Sequence, residues 1–214
     1  MIKFTRIARL LIFLVLTLAV LPTATRAGTT CQPTPQGQLC TSQVNFERFA
    51  YTSYTTQWQS EWCWAACISM IFKYYGHPIS QDKIVRSVYG AAYNRPAGAG
   101  WVMAKELNRD WVDDNGKPFK SRLTAVIDID AGVFGLNNAG MIYELDQNRP
   151  MLIASGTHAM VATAMQYFPA SVVSVGVFDP WPTSGGARRL STQEMIPITQ
   201  PGGMLRFAAA VKVE

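Results

Sequence analysis

The spacing of apolar side chains changes along the chain from a helical period to a period of two. Between Ser60 and Gly76 apolar residues surround almost the whole helix circumference, which indicates a helix buried in the core. Gly76 and Pro78 favour its end, because glycine adopts the left-handed stop and proline prevents resumption. Three more helices are predicted: Ser80 to about Tyr89, Trp101 to Leu107 or slightly beyond, and Asn138 to Asp146.

From Pro150 onward apolar residues recur at every second position, which is typical of strands. Four strands are predicted there: Met151–Ser155, His158–Phe168, Ser171–Phe178 and Met204–Val213. Leu123–Ile129 is an earlier strand, and the aromatic alternation of Phe46–Tyr54 favours an extended segment. Because helices precede most strands, the expected fold class is α+β, with a buried helix packed on a C-terminal antiparallel sheet.

The chain begins with a segment that we interpret as a signal peptide over residues 1–27. Basic residues precede the apolar run Leu10–Leu21, and Thr25-Arg26-Ala27 offers a cleavage site of small residues. The run is shorter than the roughly 20 apolar residues of a membrane span, although a retained anchor is the alternative. Residues 28–45 are expected to form an irregular arm, whose action as a pro-segment is left open, and residues 46–214 one domain.

Composition adds little to this picture, because most of the net positive charge lies in the leader. The leader holds four of the 19 Lys and Arg residues and no acid, so the remaining 15 basic and 14 acidic residues give +1 instead of +5. No basic patch indicates nucleic acid. The predicted location is secreted or periplasmic, with no stable membrane association after leader removal, and the cysteines therefore meet an oxidising compartment. Cys31 and Cys40, which flank a Pro- and Gly-rich stretch, could form a disulfide.

Cys63 is the candidate nucleophile. It lies at the start of the buried helix, where free backbone N–H groups and the helix dipole favour the thiolate. The alternative is a small buried hydrophobe, the usual role of a free cysteine. We expect Cys67 to be buried core, because zinc would need about four ligands and a disulfide to Cys63 within one helix is geometrically awkward.

A thiolate needs a group that exchanges a proton near neutral pH, and the chain has only two histidines. His77 lies past the end of the helix, roughly 20 Å from Cys63 at about 1.5 Å per residue, and is expected to be a loop or capping residue. His158 is therefore the predicted base by elimination. Asp179 ends the next strand, and a hairpin would place it beside His158 as the orienting acceptor.

The developing oxyanion of an acyl transfer also needs hydrogen-bond donors. The backbone N–H of Cys63 can supply one. A side-chain amide upstream could supply the second, but spacing alone does not choose between Gln57 and Gln59.

Gln57, Ser60-Glu-Trp-Cys63-Trp-Ala-Ala, Gly156-Thr-His158 and Phe178-Asp-Pro180 together resemble the papain-like cysteine peptidases. The resemblance covers roughly residues 46–214. It is nearest to a bacterial type that includes a plant-pathogen effector protease, and it extends to the domains that remove double-glycine leaders from bacteriocins. It implies a papain-like fold, the catalytic order Cys63, His158, Asp179, and Gln57 as the oxyanion donor. The predicted leader departs from effectors delivered by injection, so their host target is not carried over.

The sequence therefore predicts an exported cysteine peptidase that acts on proteins or peptides without a metal or other cofactor. The same triad could instead serve deamidation, transglutamination or acyl transfer. A non-catalytic binding module on the same scaffold is a third hypothesis. Trp62, Trp64 and Trp181 could line the cleft or simply pack, and packing is favoured for Trp64.

Overall fold

The computed structural model describes residues 27–214, so the predicted leader lies outside the described residues except for its last position. Its helical elements are α1 (Phe46–Arg48), a π-helical turn (Phe49–Ser53), α2 (Cys63–Tyr74), α3 (Gln81–Tyr89), α4 (Gly100–Leu107), α5 (Asn138–Asp146) and α6 (Thr192–Met195). Its strands are β1 (Gly28–Thr34), β2 (Gly37–Gln43), β3 (Asp110–Val112), β4 (Pro118–Asp128), β5 (Val133–Phe134), β6 (Met151–Ser155), β7 (His158–Phe168), β8 (Ser171–Phe178), β9 (Ala187–Arg189) and β10 (Leu205–Val213).

An antiparallel sheet forms the centre of the fold. Its main path runs β1-β2-β7-β6-β10-β4-β3, and β8 and β9 extend it from β7. The long strand β7 pairs with β6 through its first residues and with β2 through its last ones, while β8 follows it along most of its length. Helices packed on an antiparallel sheet confirm the predicted α+β, papain-like fold class.

Helix α2 is buried almost completely, as its apolar circumference predicts. Eleven of its twelve residues are buried, and it packs against β7 and β6. It begins at Cys63, three residues later than predicted. Its last residue is Tyr74, two residues before the predicted end at Gly76, whose φ of +89° lets the His77 N–H donate to the Phe72 carbonyl at 3.0 Å.

The other periodic segments closely match their predicted elements. Helices α3, α4 and α5 occupy the predicted positions, with Ser80 as the side-chain cap of α3 and Asn137 capping α5 one residue early. Strands β6, β7 and β8 match their predicted bounds, and β10 starts one residue late. Strand β4 starts five residues before the predicted Leu123.

The segment at 28–45 is a β-hairpin and not an irregular arm, which corrects our expectation. Cys31 and Cys40 occupy directly opposed positions of β1 and β2 and form a disulfide, which confirms the expected bond. Strand β2 then hydrogen-bonds with β7, so the hairpin joins the main sheet. The polar composition hid this pairing, because the ladder uses backbone groups that every sequence has.

The segment Phe46–Tyr54 is helical and not extended, which is a second correction. The side chain of Asn45 accepts the N–H of Arg48 and so caps the first turn. Phe46 and Phe49 lie three residues apart, and their ring centroids lie 5.3 and 4.8 Å from that of Phe178. Aromatic spacing that we took for a strand therefore serves one face of a helix.

Candidate active site

Cys63 is the first residue of α2, at the edge of a cleft. Trp62 before it has a non-helical backbone, with φ −99° and ψ 18°, and its carbonyl accepts the first helical hydrogen bond, from the N–H of Ala66 at 2.9 Å. The N–H of a first helical residue has no partner within its helix, and the helix dipole is positive at this end. Cys63 is 9% exposed and lines the cleft. Its sulfur and its N–H therefore share a setting that favours negative charge.

His158 is the first residue of β7, directly after a two-residue turn. Ser155 on β6 pairs with His158, and Gly156 between them has a φ of +61°, a conformation that side chains rarely adopt. The turn places the imidazole at the end of the sheet, where it also lines the cleft. The tight turn fixes the ring's position relative to α2, because β7 packs on that helix.

Asp179 follows the last residue of β8 and contacts the ring. Its Oδ1 lies 2.6 Å from Nε2 of His158, and the backbone N–H of Trp181 donates to the same oxygen at 2.9 Å. The β7–β8 ladder explains this proximity, since it pairs Val161 with Phe178 near the same end of the sheet. With Nε2 occupied by Asp179, the other ring nitrogen is available for Cys63.

The charges of these groups reinforce one another. Partial burial lowers the pKa of His158, but hydrogen bonds with Asp179 and Cys63, and their negative charges, outweigh it and raise the pKa to about 9. Burial raises the pKa of Asp179, but hydrogen bonds from His158 and Arg188 outweigh it and hold the pKa at about 2. The arrangement therefore holds a charged imidazolium next to a carboxylate at neutral pH.

Arg188 is a residue that the sequence reasoning missed. Its Nε donates to Oδ2 of Asp179 at 2.8 Å, and its terminal nitrogens donate to both carboxylate oxygens of Glu194 at 2.7 and 3.0 Å. Glu194 is fixed in turn by a capping box with Ser191. The Ser-x-x-Glu pattern was visible in the sequence, but nothing in it connects Glu194 with Asp179. Both oxygens of Asp179 are thus occupied, which fixes the carboxylate facing His158.

Gln57 lies six residues before Cys63 in the chain, and its amide donors are engaged by backbone carbonyls. Its side chain is buried, and Nε2 donates to the carbonyls of Gln59 at 2.9 Å and Ser60 at 2.8 Å. Its Oε1 is buried without a hydrogen-bond partner among the described residues. The backbone N–H of Gln57 donates to Pro180 at 2.8 Å, which ties this segment to the residues after Asp179. The structure therefore connects Gln57 with the residue after Asp179 and leaves its side-chain amide without a free donor.

The three tryptophans differ in position. Trp62 and Trp64 are buried and donate their indole N–H groups to the carbonyls of Tyr93 and Arg95. Trp181 is 44% exposed and lines the cleft, with its ring edge-on to that of His158 at a centroid distance of 6.2 Å. Trp181 is thus placed to shield the contact between His158 and Asp179 from water.

The cleft that holds these groups has a volume of about 770 Å³. One wall is the start of α2, the second is the loop of small residues 96–100, and the third consists of strand ends from β4, β6, β7 and β10. A larger cavity of about 900 Å³ lies elsewhere, between α3 and the β3–β4 hairpin, and its lining includes neither Cys63 nor His158. The volume of the first cleft lies within the range of about 300–1,000 Å³ that ligand-binding pockets have.

Two further candidate residues lie away from this chemistry. Cys67 is fully buried as expected, and burial raises the pKa of its thiol well above the usual value, so it stays neutral. His77 is buried with Nδ1 at 3.2 Å from Oδ2 of Asp113, and its ring stacks on Phe119 at 4.3 Å. Its backbone N–H caps α2, which is the capping role expected of it.

Residues 27–214 contain no group of three or more His, Cys, Asp or Glu side chains that could hold a metal ion. Over the same residues, no helix has both the length and the apolar character that crossing a membrane requires.

Comparison with known proteins gives one family. None of the curated proteins matches the chain. The model of the Peptidase_C39 like family matches residues 49–196, which include Cys63, His158 and Asp179. The match is to the family as a whole and to neither of the two bacterial types that the motifs resemble. Because it covers more than half of the chain, the protein belongs to the Peptidase_C39 like family, and thus to the papain-like cysteine peptidases.

Proposed function

We propose that the protein is an exported peptidase that hydrolyses peptide bonds through a triad of Cys63, His158 and Asp179. One observation carries the proposal: the His158 ring contacts Asp179 at 2.6 Å and lines the same cleft as Cys63, the cysteine at the start of α2. Nucleophile, proton carrier and orienting acceptor are the three parts that covalent acyl transfer requires.

In the first step the Cys63 sulfur attacks the carbonyl carbon of the peptide bond. The charged ring of His158 stabilises the negative sulfur and then gives its proton to the departing amine nitrogen. The amine leaves, and an acyl group stays bonded to the sulfur. In the second step neutral His158 takes a proton from water, the hydroxide adds to the acyl carbon, and the carboxylate product leaves as the thiolate returns. Asp179 holds the ring in one orientation throughout.

The oxyanion of each tetrahedral intermediate would accept the backbone N–H of Cys63 and a side-chain N–H of Gln57. For the second donor, Gln57 exchanges one of its bonds, to the carbonyl of Gln59 or of Ser60, for the substrate oxygen. Losing an oxyanion donor typically lowers kcat by about a hundred- to a thousandfold. Gln57→Ala should show a loss of this size, whereas Gln59→Ala should not.

Export is supported by the disulfide between Cys31 and Cys40, since such bonds persist mainly in oxidising compartments. We place the protein in the periplasm or outside the cell, after removal of residues 1–27. Mass spectrometry of the protein recovered from those fractions tests this. A mature chain starting at Gly28 supports export, and a full-length chain confined to the cytoplasm contradicts it.

The decisive experiment treats an unstructured protein mixture with the wild type and with Cys63→Ala, His158→Ala and His77→Gln. New peptide termini, found by mass spectrometry, should appear with the wild type and with His77→Gln and vanish with the other two. His77→Gln is the matched control, because it removes the second histidine while glutamine can still donate to Asp113. Cleavage by Cys63→Ala would overturn the mechanism.

The same experiment separates the other chemistries open to this triad. A gain of about one dalton on glutamine residues would indicate deamidation, and crosslinked chains would indicate transglutamination. A thiol-reactive peptidase probe tests the hypothesis that the protein is a non-catalytic binding module. If Cys63 reacts no faster in the folded protein than in the denatured one, the enzymatic proposal fails.

A further inference from the structure

The sheet wall of the cleft contains, beyond His158, a buried carboxylate, Asp128, of which only one oxygen accepts a hydrogen bond within the described residues. Asp128 is 5% exposed and lines the cleft. Its Oδ1 accepts the backbone N–H of Ala131 at 3.2 Å, which fixes the orientation of the group. Within residues 27–214 its Oδ2 accepts no hydrogen bond that would balance its charge. Oδ2 is accessible from the cleft, where a donor on a ligand can meet it.

The sheet connects Asp128 with the catalytic histidine through a row of paired positions. Ala159, next to His158, pairs with Ala154 on β6, which pairs with Phe207 on β10, which pairs with Asp128 on β4. Residues paired across antiparallel strands share a face, and all four line the cleft. Three strand spacings place Asp128 about 14 Å from Ala159.

The shape of this row suits a long, unbranched side chain. The two alanines leave space beside the triad, and the Phe207 ring offers an apolar surface next to the carboxylate. Gly100 closes the far end: a Cβ there would lie 2.3 Å from Oδ2 of Asp128 and 2.7 Å from Cδ2 of Phe207. The pocket is therefore apolar along its length and negative at its end.

Two other carboxylates that line the cleft have basic partners, whereas exposed Glu61 has none among the described residues. Both oxygens of Asp130 accept from Nη1 of Arg206, at 2.8 and 3.0 Å, so the cation on this wall is already bound. Asp179 contacts His158 and Arg188. Among the buried acids that line the cleft, Asp128 is thus the one without a cationic partner in the described part of the chain.

We propose that Asp128 is a specificity residue that binds a lysine or arginine side chain of the peptide substrate. This rests on the proposed function and names a feature of its substrate. The methylene stem packs over the alanines and Phe207, and the charged end donates to Oδ2. An extended peptide advances about 3.3 Å per residue. Its backbone and the long side chain together span the distance of about 14 Å to Asp128, so the basic residue lies within two or three positions of the scissile bond.

The first test compares peptides that differ only in arginine or its neutral isostere citrulline, moved through each position near the cleaved bond. At one position the wild type should cleave the arginine peptide with the higher kcat/KM. Asp128→Asn should lower the arginine-to-citrulline ratio about ten- to a hundredfold, the size of one lost charge-assisted hydrogen bond. Asp82→Asn removes a charge from exposed α3 and should leave the ratio unchanged.

Two results would overturn the proposal. One is a ratio near one for the wild type at every position, which needs no variant and so does not depend on folding. The other is an Asp128→Asn variant that slows both peptides equally, since that indicates a structural role. Asp128→Glu, which keeps the charge, should retain part of the preference.

A binding measurement separates this proposal from the proposed function. The same peptides are titrated into the Cys63→Ala protein and followed by fluorescence anisotropy. Tighter binding of one arginine peptide, lost with Asp128→Asn, supports the basic subsite even if the wild type cleaves nothing. Equal dissociation constants for arginine and citrulline peptides overturn the subsite even if the wild type is an active peptidase.

Discussion

Replacing Asp179 with asparagine tests whether a charge, and not merely an acceptor, controls the imidazole. Asparagine keeps an oxygen at 2.6 Å from Nε2 of His158 and for the N–H of Trp181. It places an amide N–H where Oδ2 accepted from Arg188, which brings two donors together. The double variant Asp179→Asn/Arg188→Met removes that conflict and is the appropriate control.

The size of the expected effect on stability follows from the pKa of His158, which the folded protein raises from 6.5 to about 9. At 1.36 kcal/mol per pH unit this corresponds to about 3 kcal/mol of favourable interaction, shared between Asp179 and Cys63. A raised pKa contributes stability that is fully present below pH 6.5 and is lost as pH rises through about 9. Asp179, with its pKa lowered to about 2, contributes stability that is lost as pH falls from about 4 towards 2.

The assay is the pH dependence of kcat/KM on a cleaved peptide. In the wild type, activity should fall above about pH 9, where His158 loses the proton that the departing amine needs. With Asp179→Asn the pKa of His158 falls, so the loss of activity at high pH should begin nearer pH 6.5. At pH 7 the free energy of unfolding should drop by about 1–3 kcal/mol. If activity in both asparagine variants still falls only near pH 9, the charge of Asp179 does not control the pKa of His158.

Three further predictions concern the surroundings of the site. Arg188→Met should lower stability by about 2–3 kcal/mol, because it leaves the carboxylate of Asp179 without its donor; an unchanged thermal midpoint would contradict this. Cys31→Ser with Cys40→Ser opens a loop of about ten residues and should cost roughly 2.5 kcal/mol in urea unfolding; reductant should do the same to the wild type and nothing to the variant. Gly100→Ala should lower the free energy of unfolding by about 1–3 kcal/mol through overpacking against β4 and β10. A thermal midpoint equal to that of the wild type would show that the neighbouring side chains can move to accommodate the methyl group.

The local pattern of the sequence was enough to locate most regular elements. Helix α2 could be predicted because nearly every position is apolar, a condition that only a core satisfies. Some of the candidate catalytic residues could also be found from the sequence. Cys63 lies at a helix start and the chain has only two histidines, so few pairs of nucleophile and base were possible.

The two wrong secondary-structure predictions concern segments whose local pattern is compatible with two different structures. Aromatic residues at Phe46 and Phe49 fit a strand or a helix, and contact with Phe178 on β8 selects the helix. The polar segment 28–45 carries no apolar face, so its pairing with β7 depends on backbone groups that composition does not reveal.

The fold class, most elements and the residue types able to carry acyl transfer follow from the amino-acid sequence, because they depend on short-range spacing. Tertiary contacts alone establish how Arg188 holds Asp179 and how Asp128 reaches the cleft. Both contacts depend on the register between paired strands: β9 beside the preceding strand β8 in one case, and β4 beside β10, which is distant in the chain, in the other. A single residue gives no sign of its register, because register is a property of two paired strands.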